Sequence, residues 1–192
     1  MIKYDSGTIQ VKRERLYKAI DLFLESSEIH HIVDFPIDYA KTQNNLGYAY
    51  FLLAAIEEKE TNLGKAIAAI ENALQVLRLN KSSSYYRKAK SHLGNVYAAL
   101  SVFKNPDENK NKAIVLYKES LDGTKLPEDA TFHAITYSRI GNLLCQHYKL
   151  SQKEKDKVDA VEAYKEAIEG HKIDRNNTAI KDIEKIIHNL NM

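Results

Sequence analysis

The chain has 192 residues, with 28 Lys and Arg against 26 Asp and Glu and a formal net charge of +2. That length gives one ordinary domain or one short array, and the near-balance of charge does not carry the signature of a nucleic-acid binder. With 7 Gly, 3 Pro and 1 Cys, turns are few and long helices are expected; no internal disulfide can form, which suits a reducing compartment.

The N-terminus, Met1 to Gln10, is polar and mixed, without the apolar core of a secretory signal. The predicted elements begin with a helix at about Gln10 to Glu25, inside a segment 10–27. Asp34-Phe35-Pro36 marks the next helix start, because the missing N–H of proline has no intrahelical partner in a first turn. From there Ala40, Leu46, Ala49, Tyr50 and Leu53 recur at helical spacing. This stretch holds the longest apolar run, Tyr48 to Ile56, far short of the roughly 20 residues of a membrane span. A soluble, cytoplasmic protein is the expectation.

A charged break, Glu57 to Thr61, precedes a helix from about Asn62 to about Leu79 through Ala66, Ile67, Ile70, Ala73, Leu74 and Leu77. The two form a predicted hairpin over 36–79. A second hairpin, 83–121, runs from Tyr85 to about Phe103, loops at Lys104 to Glu108 around Pro106, and returns from about Asn109 to Leu121. A third, 128–171, starts after Leu126-Pro127-Glu128, runs to Tyr148 and returns from about Glu154 to Glu169. Ser151 and Glu154 have the spacing of a capping box, which satisfies two orphan backbone donors. About Thr178 to Leu190, in the segment 177–191, is a last helix without a partner. No useful stretch alternates with period two, so the expected class is all-α.

These elements share a period of 47 residues, carried by Gly47, Gly94 and Gly141 and by Ala19, Ala66, Ala113 and Ala160. Ile20, Ile67, Ile114 and Val161 follow the alanines, and Phe23, Ile70, Tyr117 and Tyr164 stand four residues on. A fixed period of this size means stacked supersecondary units rather than a closed globule with a pocket. Glycine on one helix and alanine on the next let two backbones approach at a crossing. A large side chain at Gly94 is therefore expected to overpack the seam and cost about 1–3 kcal/mol. At the C-terminal end Ile187 aligns with Leu46, Leu93 and Ile140, and His188 takes the glycine column, as a helix with no second helix over it allows. Lys181, Asp182, Glu184 and Lys185 give that helix the outer face of a solubilising cap. At the N-terminal end Ala19 has no evident partner: either residues 1–10 cover it or the edge binds something.

The columns resemble the tetratricopeptide repeat, in which Leu-Gly is followed by Tyr three residues after the Gly, and later Ala by an aromatic four residues on. Leu46-Gly47 with Tyr50, Leu93-Gly94 with Tyr97, and in part Ile140-Gly141 with Leu144 carry the first half. Ala19 with Phe23, Ala113 with Tyr117 and Ala160 with Tyr164 carry the second, and Ala66 with Ile70 keeps size without the ring. The family's Trp column here reads Gln43, Lys90 and Tyr137, and its period is about 34 residues. The longer unit is similar to those of kinesin light chains and of many prokaryotic signalling-associated repeat proteins. HEAT and armadillo repeats also have periods near 40–47 residues, and the Leu-Gly-x-x-Tyr signature separates the chain from them. The resemblance covers about residues 10–190 and implies an α-solenoid of antiparallel hairpins in a right-handed superhelix, as a single domain over 1–192, with an N-terminal half-repeat and a capping helix.

The resemblance also implies a non-catalytic adaptor or scaffold whose first helices line a concave groove for another protein's peptide segment, with no cofactor and no metal. The inward positions projected from it are Lys41, Asn44, Asn45, Tyr48, Phe51 and Leu52; Lys88, Ser91, His92, Asn95, Ala98 and Ala99; and Ile135, Ser138, Arg139, Asn142, Cys145 and Gln146. None is acidic. Asn offers donor and acceptor to an extended backbone, and Lys and Arg offer donors to carboxylates. The ligand set expected is Lys41, Asn44, Asn45, Tyr48, Lys88, His92, Asn95, Arg139 and Asn142, suited to an acidic or C-terminal peptide. The clamp by which some relatives hold a terminal carboxylate is only partly matched, by Asn95 and Arg139.

Other classes have less to stand on. The seven histidines, His30, His31, His92, His133, His147, His171 and His188, include no His-x-x-x-His pair for a metal. His30-His31 reads as a solvated or capping pair in a turn. Cys145 is either a thiol nucleophile or a small packing residue, and no phosphate loop or nucleophile elbow occurs. Lys12-Arg13-Glu14-Arg15 and Arg87-Lys88-Ala89-Lys90 are short basic clusters, read as solvated helix faces rather than a nucleic-acid stripe. Two further readings stay open: self-association through the N-terminal edge near Ala19, and a peptide or small-ligand sensor using the apolar end at Tyr48, Phe51 and Leu52.

Overall fold

A computed structural model describes residues 6–30, 32–79 and 83–191. Among them lie eight α-helices and no strand. They are α1 (Ser6–Ile29), α2 (Pro36–Leu53), α3 (Lys59–Leu77), α4 (Ser84–Leu100), α5 (Pro106–Ser120), α6 (Ala130–Ser151), α7 (Glu154–Ile173) and α8 (Asn177–Asn191). The chain divides into two compact units, Met1–Asn109 and Lys110–Met192, with the division falling inside α5. No described helix is long and apolar enough to cross a membrane.

In the first unit α1 packs on α2, α2 on α3 and α3 on α4, while α2 also touches α4. That is the neighbour pattern of stacked antiparallel hairpins, in which successive first helices lie side by side. The α2–α3 crossing shows why glycine is required. A Cβ on Gly47 would lie 2.5 Å from Ile70 Cγ1 and 2.9 Å from the carbonyl oxygen of Ala66. Ala66, Ile70 and Ala73 are fully buried there. On the other side of α2, Ile20 joins Leu46, Ala49, Leu53 and Ala69 in a core cluster, with Leu16, Phe23 and Tyr50 packed against it.

Local chemistry sets the helix starts. Phe35 is the N-cap of α2, with Pro36 in the first turn. Ser83 caps α4, its Oγ accepting the Tyr86 N–H at 3.2 Å. The α2–α3 turn closes through Glu58, whose φ of 42° is left-handed, and Asn62 Nδ2 donates back to the Glu57 carbonyl at 2.9 Å. The same turn recurs 47 residues on: Asn105 has φ 43°, and Asn109 Nδ2 donates to the Lys104 carbonyl at 2.5 Å. Gln152, another 47 residues along, has φ 56°. The sequence period is thus written in backbone dihedrals as well as in side chains. It also starts α5 at Pro106, which the sequence placed inside the loop.

In the second unit α6 packs on α7 and α7 on α8. A Cβ on Gly141 would lie 2.7 Å from the Tyr164 ring, and one on Gly170 would lie 2.9 Å from the Ala130 carbonyl oxygen. Gly170 thus adds a second close approach that the 47-residue columns did not contain. Ile183 and Leu190 bury the inner face of α8, and Lys181, Asp182, Glu184 and Lys185 are exposed. The expected capping box at Ser151 does not form. Helix α6 runs through Ser151, whose Oγ donates to the His147 carbonyl at 2.9 Å. Lys153 is the N-cap of α7, without a side-chain cap bond. Similarly, α6 starts at Ala130 rather than at about Glu128, after Asp129.

Candidate functional site

The projected ligand residues fall in both units. Lys41, Asn44, Asn45 and Tyr48 lie on α2, and Lys88, His92 and Asn95 on α4, all in the first unit; Arg139 and Asn142 lie on α6 in the second. Because α2 and α4 are neighbours, the first group converges. Lys41, Asn44, Asn45 and Lys88 line a cavity of about 140 Å³ together with Ala40, Leu77 and Tyr85. Beside it, His92 Nδ1 lies 3.0 Å from Asn44 Oδ1. The His92 ring stacks on Tyr48 at 4.4 Å between centroids, and Tyr48 in turn stacks on Phe51 at 5.9 Å. Asn44, Ser91 and His92 are buried, so they shape the wall, whereas Asn45 and Lys88 are exposed at the rim.

Two residues of this site were missed by the projection. Tyr85 stands one turn before Lys88 on α4, and the Lys41 ammonium lies over its ring at 4.7 Å from the centroid. Asp38 stands one turn before Lys41 and accepts from its Nζ at 2.9 Å. Asp38 and Tyr85 are themselves 47 residues apart, so carrying the column one turn further would have found both. The hydrogen bond from Lys41 holds the Asp38 carboxyl below its ordinary range, and the same bond raises the Lys41 ammonium. The face is therefore not free of acid: Lys41 is already answered by Asp38, and Lys88 is the exposed cation.

In the second unit Asn142 is exposed and accepts a hydrogen bond from Tyr164 Oη at 2.8 Å. That phenol is pushed above its ordinary range, first by burial and then by the neighbouring Cys145. Cys145 is buried among α6 and α7 rather than open on a groove. Arg139 and Asn95 are half-buried and each has a polar or charged partner. Of the histidine pair, His31 lies outside the described residues; His30 Nδ1 sits 3.1 Å from Ser26 Oγ, and its ring meets Phe35 edge-on at 5.8 Å. Among the described residues, no three His, Cys, Asp or Glu side chains gather as a metal site.

The projected positions also omit a buried ion pair. Lys110 Nζ on α5 donates to both carboxylate oxygens of Asp156 on α7, at 2.9 and 3.0 Å, with each side chain 7% exposed. Lys110 occupies the register of Leu63, and Asp156 that of Asn62 and Asn109. The signal was there in the columns: an apolar position turned cationic and an amide turned acidic in the same turn of the repeat.

No protein-family model matches the chain, and no curated protein matches it.

Proposed function

We propose that the chain is a non-catalytic protein-interaction module of the tetratricopeptide kind, which holds a peptide segment of another protein against α2 and α4. The observation that carries this reading is the convergence of Lys41, Asn44, Asn45, Lys88 and Tyr85 around one small cavity. At about 140 Å³ it is well below the roughly 300–1,000 Å³ of a small-molecule pocket, and it suits one anchoring side chain of an extended peptide. Asn45 offers a donor and an acceptor to a backbone. Lys88 offers the charge that favours an acidic anchor. Asn142 and Arg139 are assigned the same task in the second unit. The lone cysteine suits a reducing compartment, and we assign the cytoplasm.

A fluorescein-labelled peptide rich in Asp and Glu, beside its Asn and Gln counterpart, tests the reading by anisotropy. The acidic peptide is expected to bind more tightly, to weaken as salt rises, and to lose affinity with Lys88→Ala and with Arg139→Ala. Affinity and salt dependence unchanged in both variants would sink the acidic groove.

A further inference from the structure

One face of α1 is exposed although the same face is covered in every other second helix. The register of Leu22 is held by Ala69, Leu116 and Ala163, all buried. Leu22 itself is 63% exposed. Likewise Asn62, Asn109 and Asp156 are buried where α1 presents the exposed Arg15. Residues 6–10 do not fold back over this face, because they continue the helix. The opposite side of α1 is the one that packs: Leu16, Ile20 and Phe23 face α2 and α3, and Arg13 and Tyr17 reach Glu57.

Along the exposed face run Val11, Arg15, Lys18, Leu22, Glu25 and Ile29, at alternating steps of four and three. That is the seam spacing by which two helices pack side by side. The seam is its own complement when read backwards. Turned end for end about the level of Ile20, Val11 meets Ile29, Arg15 meets Glu25, and Lys18 meets Leu22. The first pair is apolar, with Val11 45% and Ile29 74% exposed. The second is an ion pair, and among the described residues neither Arg15 nor Glu25 makes one within the chain. In the third, the methylene stem of Lys18 covers Leu22.

We infer that α1 is a homotypic docking surface: two copies of this chain pair antiparallel through α1, with Arg15 of each against Glu25 of the other. The charge complementarity selects a second copy over an unrelated helix, and the antiparallel sense is the one α2 and α3 already use within the chain. The surface is separate from the cavity between α2 and α4.

Sedimentation equilibrium of the full chain, from low to several hundred micromolar, tests the pairing. The wild type is expected to pass from monomer to dimer. Arg15→Glu or Glu25→Arg alone turns both inter-helix pairs into like charges and is expected to weaken the dimer by about tenfold or more. The double exchange Arg15→Glu with Glu25→Arg restores it. All six seam residues are exposed, so circular dichroism stays unchanged and a folding defect is not the cause. A chain monomeric throughout, a dimer indifferent to both exchanges, or a double variant as weak as the single ones overturns the proposal.

Discussion

Gly141 and Gly64 show how one residue type takes opposite energetics from its surroundings. Both sit inside helices, where glycine costs about 0.5–1 kcal/mol relative to alanine. A Cβ on Gly141 runs into the Tyr164 ring at 2.7 Å, whereas one on Gly64 meets nothing within 4 Å. Gly141→Ala is therefore expected to lower stability by about 1–3 kcal/mol through overpacking, while Gly64→Ala raises it by about 0.5–1 kcal/mol. Urea denaturation of the two variants beside the wild type reads the difference, and a shared direction would refute the tight crossing. The left-handed residues Glu58, Asn105 and Gln152 pose a related case. Only Asn is well suited to that conformation, so the turn geometry is imposed by the helices on either side rather than chosen by the residue in it.

Between elements, the buried pair of Lys110 and Asp156 is the sharpest departure from the repeat. Taking two charges out of water costs several kcal/mol per ion, and the two hydrogen bonds from Lys110 to Asp156 help to offset that cost. Asp156→Asn removes the carboxylate charge that meets the buried Lys110 ammonium and is expected to destabilise by about 3–5 kcal/mol. Lys110→Leu with Asp156→Asn recreates the residues of Leu63 and Asn109, and is expected to recover wild-type stability or exceed it. Thermal melts of the single and double variants decide the matter: a double variant no better than Asp156→Asn would mean that the pair does not act as a unit.

At the scale of the whole molecule, the outer faces of α8 and α1 differ in kind. Helix α8 closes the second unit with Ile183 and Leu190 inward and charges outward. Ile183→Ala is expected to cost about 2–5 kcal/mol, whereas Lys181→Ala on the outer face stays within about 0.5 kcal/mol; denaturant midpoints of the two compare them. Helix α1 differs: Leu22 and Ile29 are open to solvent among the exposed charges of Arg15, Lys18 and Glu25. A polar outer face keeps a repeat stack soluble, and the apolar residues left open on α1 are those that the proposed pairing would cover.

The all-helical class and the small residues at Gly47 and Gly141 were legible from the chain alone, because a crossing that excludes a Cβ leaves a regular mark in sequence. Helix ends were not. Whether Ser151 capped α7 or closed α6 depended on which carbonyl its hydroxyl reached, and spacing does not encode that. The candidate site divides the same way. Lys41, Asn44 and Asn45 were projected from the family resemblance and Lys88 from the 47-residue register, since stacking repeats brings equal registers side by side. That Asp38 answers Lys41, that Asn44 and His92 are buried, and that Lys110 meets Asp156 were decided only by the fold. Each rests on a distance between separate turns of helix or separate helices, and the period fixes which residues are neighbours but not which of them touch.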